Sequence, residues 1–136
     1  MLLPFKRPAA ARRIEPILQT TATDCALACL AMVLRAHGSE VDREGIRAIV
    51  PPSVHGISVS QIIAVAGGFG LRGRAARAAL ADLAAVQLPA ILHWNFNHFV
   101  VLERYSADEA VVIDPSKGRM RLSQSELSDH YTGIAI

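Results

Sequence analysis

The sequence predicts an α+β domain in which one central N-terminal helix packs on a small antiparallel sheet. Three observations carry this reading. Residues 24–37 are apolar around the whole helical circumference, the pattern of a helix enclosed by protein rather than laid on a surface. From residue 89 onward, short β-branched and aromatic runs alternate with turn residues, as in strands joined by tight connections. The helical patterns come first and the strands after them, an order that favours separate α and β layers over repeated βαβ units.

Each element has a local reason. The first helix is expected from Asp24 to His37, "DCALACLAMVLRAH". Thr23 can cap it, Gly38 can stop it, and Arg35 and His37 stand in the last turn, where cations suit the open carbonyls. A short helix is expected after Asp42 in "DREGIRAIV", ending before Pro51-Pro52. A third starts at Ser58, which can form a capping box with Gln61, and runs to Gly67-Gly68. The segment "RAARAALADLAAV" reads as a fourth helix, because Ala and Arg are strong helix formers. Strands are expected at 89–94 ("PAILHW"), 98–104 ("HFVVLER") and 110–114 ("AVVID"). A last helix opens at Ser123 with a capping box to Glu126, and "TGIAI" is expected to close the sheet as an edge strand.

Composition bounds the function. A chain of 136 residues, 51% of them hydrophobic, can bury one real core. Its apolar runs are broken by Arg, Asp, Gly or Pro before they reach the roughly 18 residues a membrane span needs. The basic start "MLLPFKRPAAARR" lacks the apolar centre of a secretory signal. Residues 1–13 are therefore expected to be a loose basic arm and 14–136 the folded domain of a cytoplasmic protein. A net charge of only +2, with no basic–aromatic motif, argues against nucleic acid as a partner. No G-x-x-x-x-G-K-[ST] loop is present for a nucleotide.

The chemistry centres on two cysteines. Cys25 begins the buried helix and Cys29 follows one turn later. Taken alone, Cys25 has four readings: nucleophile, metal ligand, disulfide partner, or small buried filler. A disulfide within one helix has poor geometry, and a cytosolic chain keeps its thiols reduced. Cys-x3-Cys combined with "HWNFNH" is not a zinc spacing, so no metal is expected. Cys29 lies deeper in the helix and reads as filler. Elsewhere, the second and third strands form a hairpin around "YSADE". With Ser106–Ala107 at the centre of its turn, His98 falls at or next to the position opposite Asp114, within one residue of register. An imidazole held by a carboxylate is the orienting half of a Cys–His–Asp triad. Cys25 in the first helical turn adds unpaired N–H groups that favour a negative sulfur. Gln19, six residues upstream, can donate its side-chain amide to an oxyanion together with the Cys25 N–H. His37, His55, His93 and His130 read as helix-end, loop or surface residues.

These residues carry a specific resemblance. "QTTATDCALACLAM", then "HGISVSQI", "PAILHWNFNHFVVL", "VIDPSKG" and a closing "LS" resemble, in order and spacing over residues 14–136, the bacteriocin-processing peptidases. These are papain-like cysteine peptidases found as cytosolic domains of peptidase-containing ABC transporters. The resemblance implies a papain-like fold and cleavage of a secreted peptide precursor after a double-glycine leader. It implies Cys25 as nucleophile, His98 as base, Asp114 as orienting acid and Gln19 as oxyanion-hole donor. The implied partners are the leader-bearing precursor and a transporter's transmembrane and ATP-binding domains, at the cytosolic face of the inner membrane. No cofactor is implied. One position departs from the family: Ala26 follows the nucleophile where Gly is common. Met1 and the end point suggest an excised N-terminal domain, with a stand-alone peptidase as the variant reading. Trp94, near His98, is the candidate wall of a narrow channel that admits only glycine, with ordinary packing at the sheet edge as its equal alternative. The rivals are a non-catalytic module that captures secretion substrates and another papain-like amide hydrolase.

Overall fold

Every residue from Cys25 to Leu34 is buried, so helix α1 (Cys25–Ala36) has no solvent face until its last turn. The computed structural model describes residues 14–19, 25–39, 45–46 and 58–136. The expected arm and the Thr23 cap lie outside them. So does most of the helix expected after Asp42, although Gly45 and Ile46 are helical and Ile46 is fully buried. At the end of α1, the Gly38 N–H donates to the Arg35 carbonyl (3.0 Å) and the Ser39 N–H to the Leu34 carbonyl (2.9 Å). These are the paired bonds of a Schellman stop. Gly38 takes φ +96°, which a Cβ would strain. Helix α2 (Val59–Gly68) opens with the expected capping box between Ser58 and Gln61, and α3 (Gln124–His130) with that between Ser123 and Glu126.

The remaining chain forms one antiparallel sheet of β1 (Ala76–Arg77), β2 (Ala90–Trp94), β3 (His98–Tyr105), β4 (Ala110–Asp114), β5 (Gly118–Leu122) and β6 (Tyr131–Ala135). Its order is β1-β6-β2-β3-β4-β5. Helix α1 lies across β3 and β2. On its side of the sheet the core joins Leu30, Met32 and Leu34 to Ile91, Phe99, Val101 and Ile113. On the opposite face, Leu92, Trp94, Val100, Leu102 and Val112 close a second core with Leu83 and Leu127.

Three expectations need correction. The Arg/Ala-rich run is not a helix: Ala76 and Arg77 pair with β6, and only Leu80–Ala85 coil, as a 3₁₀ helix. Tertiary hydrogen bonds override the helix propensity. The Ala78 N–H donates to the Gly133 carbonyl (2.9 Å), and the Tyr131 and Tyr105 hydroxyls donate to the Ala78 and Leu80 carbonyls (both 2.7 Å). The closing "TGIAI" segment is not at the edge, because β1 covers β6. Strand β5, "GRMRL", has no β-branched residue to announce it and was not expected.

The third correction concerns the β3–β4 hairpin, and it matters most. The turn is four residues long, with Tyr105 paired to Ala110 and the Ser106 N–H on the Glu109 carbonyl (2.9 Å). Continued unbroken, that register would set Asp114 across from Val101, on the face away from His98. The ladder instead shifts between Arg104↔Val111 and Leu102↔Val112, so Glu103 opposes no residue of β4. This one-residue bulge changes the register to Val101↔Ile113. Asp114 then shares the His98 face, diagonal to it rather than opposite.

Leu30 is 1% exposed at the centre of the α1-side core. Leu30→Ala is expected to lower unfolding free energy by about 2–5 kcal/mol, read as a lower urea midpoint at unchanged slope.

Candidate active site

His98 is the first residue of β3, after the turn Asn95–Phe96–Asn97. Asn95 and Phe96 both take left-handed backbone (φ +51° and +65°), which lets β2 and β3 stay paired up to Trp94↔His98. The Asn95 N–H donates to the His130 carbonyl (2.8 Å), tying the turn to the end of α3. A left-handed Phe is costly, and such strain gathers at functional sites.

The His98 Nε2–H donates to Asp114 Oδ1 at 2.8 Å. The imidazole also lies close enough to the Cys25 side chain for the two to interact electrostatically. The same Asp114 oxygen accepts the Ser116 N–H (2.8 Å) and the Ser116 hydroxyl (2.7 Å). Asp114 is 3% exposed. Burial pushes its carboxyl up, but the hydrogen bonds from His98 and Ser116 outweigh that and hold it at about 2. The bond to Asp114, then the interaction with Cys25, raises the His98 imidazole to about 9 against the opposing effect of burial. At neutral pH the pair is therefore carboxylate and imidazolium.

Both cysteines are free and buried, but their surroundings differ. Cys25 is the first described residue of α1 and lies near enough to His98 to raise its imidazole. Cys29 is 0% exposed, and burial, then the nearby charges of Cys25 and Asp114, pushes its thiol well above the ordinary value. Cys29 stays protonated and inert. Gln19 lies in the segment 14–19, where its backbone N–H donates to the Pro115 carbonyl at 2.8 Å. The turn that ends β4 thus carries Asp114 and anchors Gln19.

Trp94 is the cross-strand neighbour of His98. It is only 3% exposed, however, and belongs to the core on the face away from α1. It stacks on His130 with ring centroids 5.2 Å apart. A side chain so covered offers a peptide almost no surface, so the wall expected of Trp94 is corrected to support beneath His98. The exposed ring of this turn is Phe96, at 78%. His93 is not a loop residue: it lies in β2, its Nδ1 2.9 Å from the Thr132 hydroxyl, with its ring against Phe96 and Phe99. Burial lowers its pKa, which keeps it neutral. Ser116 was missed, although an Asp followed two residues later by Ser is a turn signal in which the carboxylate accepts the later N–H. Among the described residues no three His, Cys, Asp or Glu side chains are grouped to hold a metal ion. Among them, too, no helix is long and apolar enough to cross a membrane.

A helix whose first residue is a cysteine, meeting a sheet-borne imidazole that a carboxylate holds protonated, is the architecture of the papain-like cysteine peptidases. The chain belongs to the Peptidase C39 family, whose profile matches residues 13–136. It is 38% identical over 125 residues to a "Probable microcin-H47 secretion/processing ATP-binding protein" of Escherichia coli. It is 36% identical over 125 residues to the colicin V secretion/processing ATP-binding protein of the same species. Each match covers 92% of this chain and 18% of the relative, so the chain spans about a fifth of the length of these relatives. Its fold matches the crystal structure of a double glycine motif protease from an AMS/PCAT transporter in complex with the leader peptide. That match has a TM-score of 0.86 and 32% identity, covering 99% of this chain and 96% of the other.

Two outcomes follow for the thiols. Iodoacetamide at neutral pH is expected to label Cys25 and leave Cys29 unmodified in the folded protein, as read by peptide mass mapping. Equal labelling would break the assignment. With the anionic reagent iodoacetate, alkylation of Cys25 should fall along an alkaline limb near 9, where the imidazolium that attracts the reagent loses its proton. Because Asp114 raises the His98 value, Asp114→Asn should move that limb down toward the ordinary 6.5.

Proposed function

We propose that this domain is a cysteine endopeptidase that removes the leader from a peptide precursor by cutting after a Gly-Gly pair, beside the transport machinery of an ABC exporter. The observation that carries the reading is the His98–Asp114 hydrogen bond at 2.8 Å, with Cys25 near enough to help raise the imidazole, in a Peptidase C39 chain. Relatives named for secretion and processing of microcin H47 and colicin V, and a structural neighbour crystallised with its leader peptide, support the substrate class.

Each residue then has one task. The Cys25 sulfur, as thiolate beside the His98 imidazolium, attacks the carbonyl carbon of the last glycine. The Gln19 side-chain amide and the Cys25 N–H donate to the oxygen that becomes negative. His98 gives its proton to the leaving amine, and a thioester joins the leader to Cys25. Neutral His98 then takes a proton from water, whose oxygen displaces the sulfur and frees the leader acid. Asp114 keeps the ring oriented and stabilises its charged form throughout. A binding-only module would need none of these protonation states, which disfavours that rival.

Two glycines select poorly among peptides, so affinity has to come from the rest of the leader. A cleft of about 690 Å³ runs beside the C-terminal half of α1, with an apolar side of Leu30, Val33, Ile62, Ile63, Ala66 and Leu71 and a polar rim that includes Arg72, Arg74 and Asp82. Its lining begins at Leu30, more than one helical turn beyond Cys25. We assign it to the apolar anchors of a helical leader, spaced i, i+3 and i+4.

The test is cleavage of one synthetic precursor. Cys25→Ala should abolish turnover and retain binding. Gln19→Ala should lower kcat by roughly 10²–10³ with KM little changed. Changing the last leader Gly to Val should block cleavage while the peptide still competes. Normal cutting of the Val peptide, or turnover by Cys25→Ala, would contradict the proposal.

A further inference from the structure

The triad does not use the most buried carboxylate outside it among the described residues. Glu103, the unpaired residue of the β3 bulge, is 2% exposed in the middle of an apolar strand. A carboxylate there needs full compensation. It receives it from two directions. Arg119 on β5 gives a fork, Nε to Oε1 and Nη2 to Oε2, both at 2.9 Å. The Ile14 N–H donates to Oε2 at 2.6 Å. Arg119 Nη2 also donates to the Ile14 carbonyl. One buried ion pair therefore satisfies both backbone groups of a residue 89 positions from Glu103 in sequence. Burial pushes the Glu103 carboxyl up, but Arg119 and the Ile14 N–H more than reverse this, so the group is charged at neutral pH.

Ile14 begins the segment that ends at Gln19. Its side chain is 5% exposed and seated in the α1-side core, with Ile17 packed against the same core. At the other end, the Gln19 N–H sits on the Pro115 carbonyl. The six residues are thus fixed at both ends across β4 and β5, and the first of these fixings is the Glu103–Arg119 pair.

We propose that the Glu103–Arg119 pair is a positioning clamp for the oxyanion hole: by holding both backbone groups of Ile14, it sets where Gln19 stands beside the Cys25–His98–Asp114 site. This rests on the reading of Gln19 as an oxyanion donor. Neither clamp residue touches substrate, and both act through the 14–19 segment. The pair has a second connection to the site, because Glu103 is also the bulge that brings Asp114 onto the His98 face. The two routes are separable. Alkylation of Cys25 needs the His98–Asp114 pair and no oxyanion hole, whereas peptide cleavage needs both.

The experiment compares Glu103→Gln, Arg119→Lys and Gln19→Ala, each alone, and the first two also combined with Gln19→Ala. Arg119→Lys keeps the charge opposite Glu103 and loses the fork to Ile14, so it tests the clamp in a protein that retains its ion pair. Glu103→Gln and Arg119→Lys are expected to lower kcat by roughly 10- to 100-fold, the scale of a small misplacement of a catalytic group, with KM within about threefold. Their Cys25 alkylation rates should stay within about twofold of wild type, and their Gln19 amide should exchange hydrogen faster. In the Gln19→Ala background, neither substitution should lower kcat by more than about twofold, since residues acting as one unit do not add. The clamp is overturned if Gln19 exchange is unchanged, if losses multiply fully in the double variants, or if alkylation falls in step with kcat. The last result would assign Glu103 to strand register alone. Unaltered kcat in Gln19→Ala would overturn the oxyanion reading itself, and the clamp's catalytic role with it.

Discussion

The hydrogen bond from His98 Nε2 to Asp114 Oδ1 joins two strands whose connecting turn would, by itself, put these side chains on opposite faces of the sheet. One extra residue in β3 corrects the register, and that residue is an acid buried among apolar neighbours. Much of the molecule serves this contact. Ser116 adds two further hydrogen bonds to the Asp114 oxygen that holds His98. Trp94, stacked on His130, supports the strand end that carries His98. Helix α1, buried from Cys25 to Leu34, brings Cys25 toward the imidazole, where low-dielectric surroundings strengthen the charges.

The two cysteines show how far environment decides chemistry. They share a helix, a residue type and near-complete burial. Cys25 meets the raised imidazole of His98. Cys29, one turn on, meets only apolar walls and the like charge of its neighbours, which keep its proton in place. The helix therefore offers two unlike environments to the same side chain four residues apart.

Much of this was legible in the sequence, for physical reasons that also mark the limits. The all-round apolar run from Cys25 is a signal that only a buried helix satisfies. The capping boxes at Ser58 and Ser123 are local and were read correctly. His98 and Asp114 were found through strand alternation and through Pro115, which ends its strand. What failed was non-local. Ala76–Arg77 are strong helix formers held as a strand by β6, half a chain away. The bulge at Glu103 could not be seen in "VVLERY", because the groups that make a buried acid tolerable come from Arg119 and Ile14, 16 and 89 residues distant. Trp94 was placed correctly beside His98, but its burial depends on α3, which pattern reading could not set against it.

The central claim is that Asp114, through the bulge-corrected register, holds His98 as an imidazolium. The most direct measurement is an NMR titration of the His98 ring carbon-bound protons in the substrate-free protein, with each of the other histidines assigned by substitution. The account predicts a midpoint near 9, with the Nε2-bound proton hydrogen-bonded to a carboxylate. A midpoint at or below the ordinary histidine value of 6.5 would mean that Asp114 does not charge the ring, and the proposed activation of Cys25 would fail with it.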